Sequence, residues 1–404
     1  MPRSVAATVL MLALGATALG ATALGAADSP TVAVLQPFID RQAVAGAVCA
    51  VADRNGLREV GAVGWADVQA HQAMADDALF WIASMSKPMT ATAFMMLVDE
   101  GKVKLDDPVE KYLPEFHGQM VLAEHDDEHQ LLRKPAHPVT VRNVLSHTSG
   151  LPFASRVETA HGYKADGMSL AYAIASYAAL PLDHEPDSNY AYSNAGLNTA
   201  GRIIEVVSGK RYEAFMDERL LKPLGLVDTT FWPSAAQVAR IAKSYQANKA
   251  KDAMSEIPVG QLTYPLTAAG RNPSPAGGYF STARDVATFG MLILNGGVHQ
   301  GQRLVSEASV RELTRTQAGK RLDDPEKNDG YGLGFATTVK SSATTGPAPA
   351  GPCGHGGAYA TNLWIDPGAR LVLIYLVQHE GFPNGGEHAR GEWEKEARKR
   401  FGGK

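Results

Sequence analysis

Segments with the residue pattern of β-strands lie at both ends of the 404-residue chain, and helical patterns fill the region between them. Near the start, two apolar runs flank Asn55-Gly56, a dipeptide that favours a tight β-hairpin. Near the end, two further runs flank Asp366-Pro367-Gly368, a turn in which Pro and Gly supply the required backbone angles. Two terminal hairpins separated by helices predict one antiparallel sheet that is built from both chain ends.

The predicted fold is therefore mixed α/β (α+β), with that sheet flanked by helices. Helical patterns predict a central helical subdomain over roughly residues 84–300, interrupted by an exposed hairpin at residues 120–133. A helix is also predicted at residues 31–42. The last helix carries four apolar residues at i, i+4 spacing, which places them on one face that should dock on the sheet. Those residues are Ala389, Trp393, Ala397 and Phe401.

The N-terminal segment has the pattern of a secretory signal peptide. Arg3 precedes an apolar run, and small residues lead to Gly25-Ala26-Ala27. A basic start, an apolar stretch and a small-residue exit predict cleavage after Ala26 or Ala27 and export to the periplasm or the medium. The prediction is a signal peptide at residues 1–27 and one catalytic domain at residues 28–404, with no membrane span in the mature chain.

Charge and cysteine content limit the partners and cross-links that are expected for this chain. The net charge of −4 disfavours nucleic acid as a partner, because phosphate binding needs a basic surface. Two cysteines, Cys49 and Cys353, are too few for a disulfide framework, and their pairing is left open. No cofactor is implied, the expected partner is a small-molecule ester or amide, and the oligomeric state is not determined.

Ser84-Met85-Ser86-Lys87 is the first candidate catalytic motif. Ser-x-x-Lys on a helix places Ser84 and Lys87 on one face, and the start of a helix favours developing negative charge. A serine hydroxyl needs a base to become a nucleophile, and a desolvated lysine can act as one. Taken alone, the motif is a weak signal and more often indicates a helix cap followed by a solvated lysine.

Tyr192-Ser193-Asn194 is the second candidate motif. A tyrosine can transfer a proton when a nearby cation lowers the pKa of its phenol. An amide two residues later can bind both the lysine and a substrate carbonyl. The alternative is a loop tyrosine followed by an Asn194 that caps the helix starting near Ala195.

The third candidate motif is Gly354-His355-Gly356-Gly357-Ala358, just before a predicted strand. Glycines at the start of a strand let a ligand approach the backbone closely. The N–H groups of Ala358 and Ser84 are predicted to form an oxyanion hole. The alternative is a glycine-rich turn without a catalytic role.

With these motifs in this order, the sequence resembles the superfamily of serine β-lactamases and D-alanyl-D-alanine carboxypeptidases, most closely class C β-lactamases and family VIII carboxylesterases. The resemblance covers roughly residues 32–380 and includes His147-Thr148-Ser149-Gly150-Leu151. It implies that Ser84 is the acylated serine, Lys87 the motif lysine, Tyr192 the acid/base and Asn194 its amide companion. His355, Gly356, Gly357 and Ala358 then bind substrate.

This chain departs from the resembled pattern in the third motif. His355-Gly356-Gly357 stands where the family usually has Lys-Thr-Gly or Lys-Ser-Gly, so a cation and a hydroxyl that hold a substrate carboxylate are missing. The departure favours a neutral ester or small amide over penicillins. A protonated His355 would partly replace the cation and make β-lactam hydrolysis increase towards about pH 6.

Other candidate sites are weaker. No serine lies in a Gly-x-Ser-x-Gly frame, and Ser86 should point away from its immediate neighbour Lys87. His147 and Ser149 are interpreted as a structural turn. His125 and His129 lie in a charged hairpin and are not expected to bind a metal.

Three functional hypotheses follow. The first is an exported serine carboxylesterase that forms an acyl-enzyme on Ser84 and hydrolyses short-chain esters. The second is a β-lactamase or D,D-peptidase that uses the same nucleophile. The third is a non-catalytic binding or sensor protein on the same fold, since a fold does not fix a function.

Overall fold

The protein is described by a computed structural model for residues 29–155, 157, 168–262, 264–268, 270–318, 329–338, 346 and 348–402. The predicted signal peptide lies outside these residues. Within them, no helix combines the length and apolar character needed to cross a bilayer.

Seventeen strands are described. They are β1 (Gly46–Asp53), β2 (Gly56–Asp67), β3 (Gln72–Ala73), β4 (Phe80–Trp81), β5 (Val121–His125), β6 (Gln130–Arg133), β7 (Ser244–Ala247), β8 (Met254–Ile257), β9 (Phe280–Ser281), β10 (Val298–His299), β11 (Gln302–Arg303), β12 (Asp329–Tyr331), β13 (Ala336–Thr338), β14 (Cys353–Gly356), β15 (Asn362–Asp366), β16 (Leu371–Leu376) and β17 (His379–Glu380).

The α-helices lie mostly between the two groups of long strands. They are α1 (Gln36–Asp40), α2 (Ser86–Asp99), α3 (Val141–Ser146), α4 (Leu170–Ala178), α5 (Asn194–Ser208), α6 (Tyr212–Met216), α7 (Lys222–Leu224), α8 (Ala235–Val238), α9 (Ala283–Leu294), α10 (Glu307–Thr314) and α11 (Ala389–Phe401). Short 3₁₀ turns lie at Val32–Leu35, Ala83–Met85, Val109–Lys111, Pro114–Phe116 and Gly386–His388, and a π-turn at Asp217–Leu221 joins α6 to α7.

The main sheet confirms that both chain ends build one antiparallel layer. Its eight strands run in the order β12-β13-β14-β15-β16-β1-β2-β3. The N-terminal hairpin meets the C-terminal hairpin where β1 pairs with β16, with Cys49 opposite Tyr375. Because the two ends are hydrogen-bonded neighbours, the third motif on β14 lies in the same sheet as the first residues of the domain.

The two faces of β1 explain why this strand has no polar residue from Gly46 to Ala52. Val48 and Ala50 belong to the core that contains the central helices, whereas Ala47 and Cys49 belong to a second core under α11. Successive side chains of a strand point to opposite faces, so a strand covered on both sides has no polar position. The predicted docking face of α11 is confirmed, since Trp393 is fully buried and its ring lies 6.0 Å from that of Tyr375.

Three local predictions need correction or completion. The helix expected at residues 31–42 is split into a 3₁₀ turn and α1, with Pro37 in the first turn of α1. His355 and Gly356 end strand β14, whereas the sequence placed them at the start of a strand. Cys49 and Cys353 are both buried and free. The exposed hairpin predicted at residues 120–133 is present as β5 and β6.

Candidate active site

Ser84 lies in a 3₁₀ turn between β4 and α2. The residue before it, Ala83, has a φ of 45°, a left-handed value that non-glycine residues seldom adopt. The backbone can hold this value because Ala83 is fully packed and Ser86 Oγ donates to its carbonyl at 2.7 Å. Strain of this kind occurs where the surrounding structure fixes it, and here it lies directly before Ser84.

Lys87 is fully buried and places its Nζ atom beside the serine. Nζ lies 2.9 Å from Ser84 Oγ, 2.8 Å from Asn194 Oδ1 and 2.8 Å from the carbonyl oxygen of Ala276. Burial without a carboxylate partner among the described residues disfavours the charged form, and it lowers the pKa of Lys87 well below its usual range. The solvated lysine considered from the sequence is therefore excluded.

Tyr192 lies on the other side of Ser84. Its hydroxyl donates to Ser84 Oγ at 2.8 Å, and Lys87 Nζ lies 4.7 Å from the centre of its ring. Burial raises the pKa of Tyr192 to about 12, and the hydrogen bond to Ser84 only partly opposes this. The expected lowering by a nearby cation is thus absent, and the phenol keeps its proton.

Asn194 contacts Lys87 because another residue caps the helix. Ser193 is the N-cap of α5, and its Oγ accepts from the Gly196 N–H and donates to the Pro152 carbonyl at 2.8 Å. The amide of Asn194 is therefore free to accept from Lys87. This geometry rules out the alternative in which Asn194 is the cap.

The end of β14 packs against the turn that carries Ser84. A Cβ added to Gly357 would lie 2.6 Å from the Ile82 carbonyl oxygen and 2.0 Å from Thr361 Oγ1. Only glycine allows the two backbones to approach this closely. The contact brings the Gly357-Ala358 peptide to the same region as the Ser84 turn, as an oxyanion hole formed by their N–H groups requires.

His355 is held as a neutral imidazole. Its Nδ1 lies 2.6 Å from the Gly356 carbonyl oxygen, which can only accept, so Nδ1 carries the hydrogen. Its Nε2 then accepts from the Tyr331 hydroxyl at 3.0 Å. Burial and the nearby Lys87 hold the pKa of His355 at about 3. The idea that a protonated His355 replaces the missing cation is therefore wrong for this structure.

A cavity of about 290 Å³ opens beside Tyr192 and His355. Its described lining is largely aromatic, and no side chain in that lining is positively charged. The lining residues are Tyr190, Tyr192, Ala318, Gly330, Tyr331, Ala336, Thr337, His355, Gly356 and Trp364. Phe153, which is 46% exposed, stacks on the Tyr192 ring with the ring centres 6.3 Å apart.

The sequence missed three groups at this site. The Ala276 carbonyl binds Lys87, Tyr331 binds His355, and the His147 ring packs at 4.5 Å from that of Tyr192. The glycines that follow Ala276 and the His-Thr-Ser-Gly-Leu stretch were visible, but neither pattern states which group it contacts.

Of the weaker candidates, His147 packs on Tyr192, whereas Ser86 and His129 take no part in this cluster. Ser86 is buried, and its hydroxyl donates to the Ala83 carbonyl and accepts from the Tyr279 N–H. His129 forms an exposed pair with Asp126. Among the residues that the structure describes, no group of three or more His, Cys, Asp or Glu side chains could hold a metal ion.

Comparison with known proteins identifies the family. The sequence model of the Beta-lactamase family matches residues 32–397, so the chain belongs to that family, within the serine hydrolase superfamily. An uncharacterized Mycobacterium tuberculosis protein is 33% identical over 86% of this chain and 89% of its own length. Esterase EstB of Burkholderia gladioli is 27% identical over 86% of this chain and 90% of its own length.

A solved structure agrees on the fold. EstCE1, described as a hydrolase with promiscuous acyltransferase activity, superposes with a TM-score of 0.73 and 23% identity. The alignment covers 92% of this chain and 97% of EstCE1. The α/β fold with an antiparallel sheet and flanking helices, predicted from the sequence, is confirmed.

Proposed function

We propose that this protein is a serine carboxylesterase that forms an acyl-enzyme on Ser84 and hydrolyses small neutral esters. The observation that carries the proposal is the position of Ser84 Oγ, within 2.9 Å of both Lys87 Nζ and the Tyr192 hydroxyl. A serine between a desolvated amine and a phenol has both a base and an acid in contact. The similarity to esterase EstB supports the same class of reaction.

Lys87 is the base of the acylation step. Two of its three partners, Asn194 Oδ1 and the Ala276 carbonyl, can only accept hydrogen bonds. A neutral amine has two N–H groups for them and keeps a lone pair for the third partner, the hydroxyl of Ser84. Lys87 takes the serine proton as Oγ forms the bond to the ester carbonyl carbon.

Tyr192 is the acid. Its hydroxyl retains a proton at neutral pH. It lies beside Ser84 Oγ, and therefore near the carbonyl carbon that the alkoxide leaves. Cleavage of the ester C–O bond transfers the Tyr192 proton to the alkoxide, and the proton held by Lys87 restores the phenol. Water then attacks the acyl-enzyme through the reverse sequence, which releases the acid and regenerates Ser84.

The N–H groups of Ser84 and Ala358 stabilise the negative carbonyl oxygen of the tetrahedral intermediate. Removing one such donor from a serine hydrolase costs about 10²–10³-fold in kcat. The close packing of Gly357 on the Ile82 carbonyl supports this assignment, because it joins the two backbone segments that supply the donors.

The preference for a neutral substrate follows from the third motif. His355 is uncharged and its two nitrogens are occupied by Gly356 and Tyr331, so it offers no ion pair to a carboxylate. A charge-assisted hydrogen bond contributes about 1.5–3 kcal/mol, or roughly 10- to 150-fold in kcat/KM. Anionic β-lactams lose this contribution, whereas neutral esters lose nothing.

The domain arrangement and localisation are part of the proposal. The pattern of residues 1–27 supports export, with residues 28–404 as the catalytic domain and roughly 84–300 as its helical part. Gly25-Ala26-Ala27 supports cleavage at the end of that segment. The enzyme then acts in the periplasm or the medium, and the reaction requires no cofactor.

The test is a side-by-side measurement of kcat/KM for p-nitrophenyl acetate, p-nitrophenyl butyrate and the β-lactam nitrocefin at pH 7, with Ser84→Ala as the blank. We expect the esters to be hydrolysed at least about 10-fold faster than nitrocefin. Faster hydrolysis of nitrocefin would favour a β-lactamase or D,D-peptidase. Equal rates for wild type and Ser84→Ala would favour a binding or sensor protein.

A further inference from the structure

His147 accepts hydrogen bonds from the residues on either side of Tyr192 in the chain. The Ala191 N–H, just before Tyr192, donates to the His147 carbonyl at 2.9 Å. The Ser193 N–H, just after Tyr192, donates to His147 Nδ1 at 3.2 Å. One residue thus accepts hydrogen bonds from the N–H groups of both residues that flank Tyr192 in the chain.

The same residue also supports the tyrosine ring. The two ring centres lie 4.5 Å apart at an angle of 43°, and Tyr331 packs on His147 at the same separation. His147 is 1% exposed, so its ring has no freedom to turn away. His147 thus holds Tyr192 through hydrogen bonds from its two neighbours in the chain and through one ring contact.

The backbone of His147 has an unusual left-handed conformation that is compatible with these contacts. It ends α3 with a φ of 60°, the left-handed value that closes a helix and turns its carbonyl outward. Nδ1 can accept from Ser193 only while it carries no hydrogen, and burial together with Lys87 and His355 lowers the pKa of His147 well below its usual range. The imidazole thus stays a neutral acceptor.

We propose that His147 is a positioning residue that holds the Tyr192 hydroxyl on Ser84 and, through Ser193, the Asn194 amide on Lys87. The proposal rests on the acid role of Tyr192 given above. A misplacement of about 1 Å in a reacting group costs on the order of 10²-fold in rate. Loss of the His147 contacts should therefore lower kcat and the reactivity of Ser84, while substrate binding changes little.

The experiment is a double-mutant cycle between His147→Ala and Tyr192→Phe. Two assays are used. The first measures the rate at which a fluorophosphonate probe labels Ser84, and the second measures kcat and KM for p-nitrophenyl butyrate. We expect His147→Ala to lower the labelling rate and kcat by about 10- to 100-fold, with KM within about 3-fold. In the Tyr192→Phe background, the same change should cost less than about 3-fold, because no hydroxyl remains to be positioned.

His147→Asn is the conservative variant. Asparagine tolerates left-handed backbone angles, and its Oδ1 can accept from the Ser193 N–H. This variant therefore keeps the two backbone hydrogen bonds but loses the ring contact. Its loss should be at least about 3-fold smaller than that of alanine. If His147→Ala does not fold, the cycle is run with His147→Asn, whose smaller loss must also vanish without the Tyr192 hydroxyl.

His379→Ala is the matched structural control. His379 is likewise 1% exposed, and its Nε2 accepts from the Ala45 N–H at 3.0 Å, but its ring packs on Phe382 and Tyr245. This variant should lose stability and keep the wild-type labelling rate. Equal loss of labelling in His379→Ala and His147→Ala overturns the proposal.

Additive losses in the cycle, with Tyr192→Phe slow by itself, overturn the role of His147 and leave the proposed function standing. A Tyr192→Phe enzyme that labels at the wild-type rate removes the acid role of Tyr192, and the inference falls with it. The labelling readout needs no ester turnover, so it separates these outcomes even if the ester is a poor substrate.

Discussion

At the residue scale, the site is organised by the positions of two neighbouring serines. Ser84 and Ser86 lie two residues apart, yet only Ser84 faces Lys87 and Tyr192. Ser86 Oγ instead ties the strained Ala83 carbonyl to the Tyr279 N–H. Ser86 thus stabilises the turn, and Ser84 is the proposed nucleophile.

This division predicts opposite phenotypes for two alanine variants. Ser84→Ala should abolish ester turnover and change the free energy of unfolding by less than about 1 kcal/mol, because its hydroxyl is not part of the core. Ser86→Ala should remain reactive towards the probe but lose about 2 kcal/mol from two buried hydrogen bonds. Urea unfolding and fluorophosphonate labelling check both. Probe attachment to Ser84→Ala would place the nucleophile elsewhere.

Tyr192→Phe removes one hydroxyl at the centre of the site. We expect kcat for p-nitrophenyl butyrate to fall at least about 10²-fold, the usual contribution of a general acid or base, with KM changed far less. Steady-state kinetics at pH 7 give both constants. A near-normal kcat would mean that Lys87 alone both activates Ser84 and protonates the leaving group.

At the scale of elements, the active site is a contact between the start of α2 and the end of β14. The nucleophile turn enters α2 after β4, and β14 reaches it from the opposite end of the chain. The contact depends on the absence of a side chain at Gly357, since an added Cβ would lie 2.6 Å from the Ile82 carbonyl oxygen. Neighbouring Gly356 has more room, because its added Cβ would be 3.7 Å from the nearest atom, the Thr361 carbonyl oxygen.

Two glycine variants should therefore differ. Gly357→Ala should separate β14 from the nucleophile turn, lower kcat at least about 10-fold and reduce the free energy of unfolding by about 1–3 kcal/mol, as overpacking does. Gly356→Ala should keep the wild-type unfolding free energy within about 1 kcal/mol. Urea unfolding of both variants and kcat of Gly357→Ala provide the measurement. Equal stability of the two variants would contradict the close packing.

At the scale of the whole molecule, buried neutral histidines couple stability to pH. His355 and His379 have pKa values of about 3 and about 4, in each case mainly because burial disfavours the charged imidazole. An unfolded chain protonates both near pH 6.5, so it binds more protons than the folded chain below that pH. Folded stability is therefore complete above about pH 6.5 and declines as the pH falls.

The expected acid sensitivity is large. At pH 5 each of these two histidines removes about 2 kcal/mol relative to pH 7, from the difference between its folded and unfolded pKa. Urea unfolding at pH 7, 6 and 5 should show this decline, and His379→Gln should reduce the part of it that His379 contributes. A free energy of unfolding that is constant from pH 7 to pH 5 would contradict the neutral buried state.

Much of this organisation can be predicted from the sequence because it is local or periodic. The hairpin turns at Asn55-Gly56 and Asp366-Pro367-Gly368, the apolar face of α11 and the helical spacing of Ser84 and Lys87 follow from backbone geometry over a few residues. These patterns predicted an antiparallel sheet formed by both chain ends, and β1 and β16 confirm it. The three motifs predicted which side chains to examine.

Only the tertiary structure decided the charge states and the supporting contacts. Burial keeps His355 neutral, and its partner Tyr331 lies 24 residues away in the chain. Burial also lowers the pKa of Lys87, and its partner, the carbonyl of Ala276, lies 189 residues away. His147 binds a segment 46 residues further along the chain. Desolvation and hydrogen-bond partners are properties of packing between distant segments, so no local pattern in the chain encodes them.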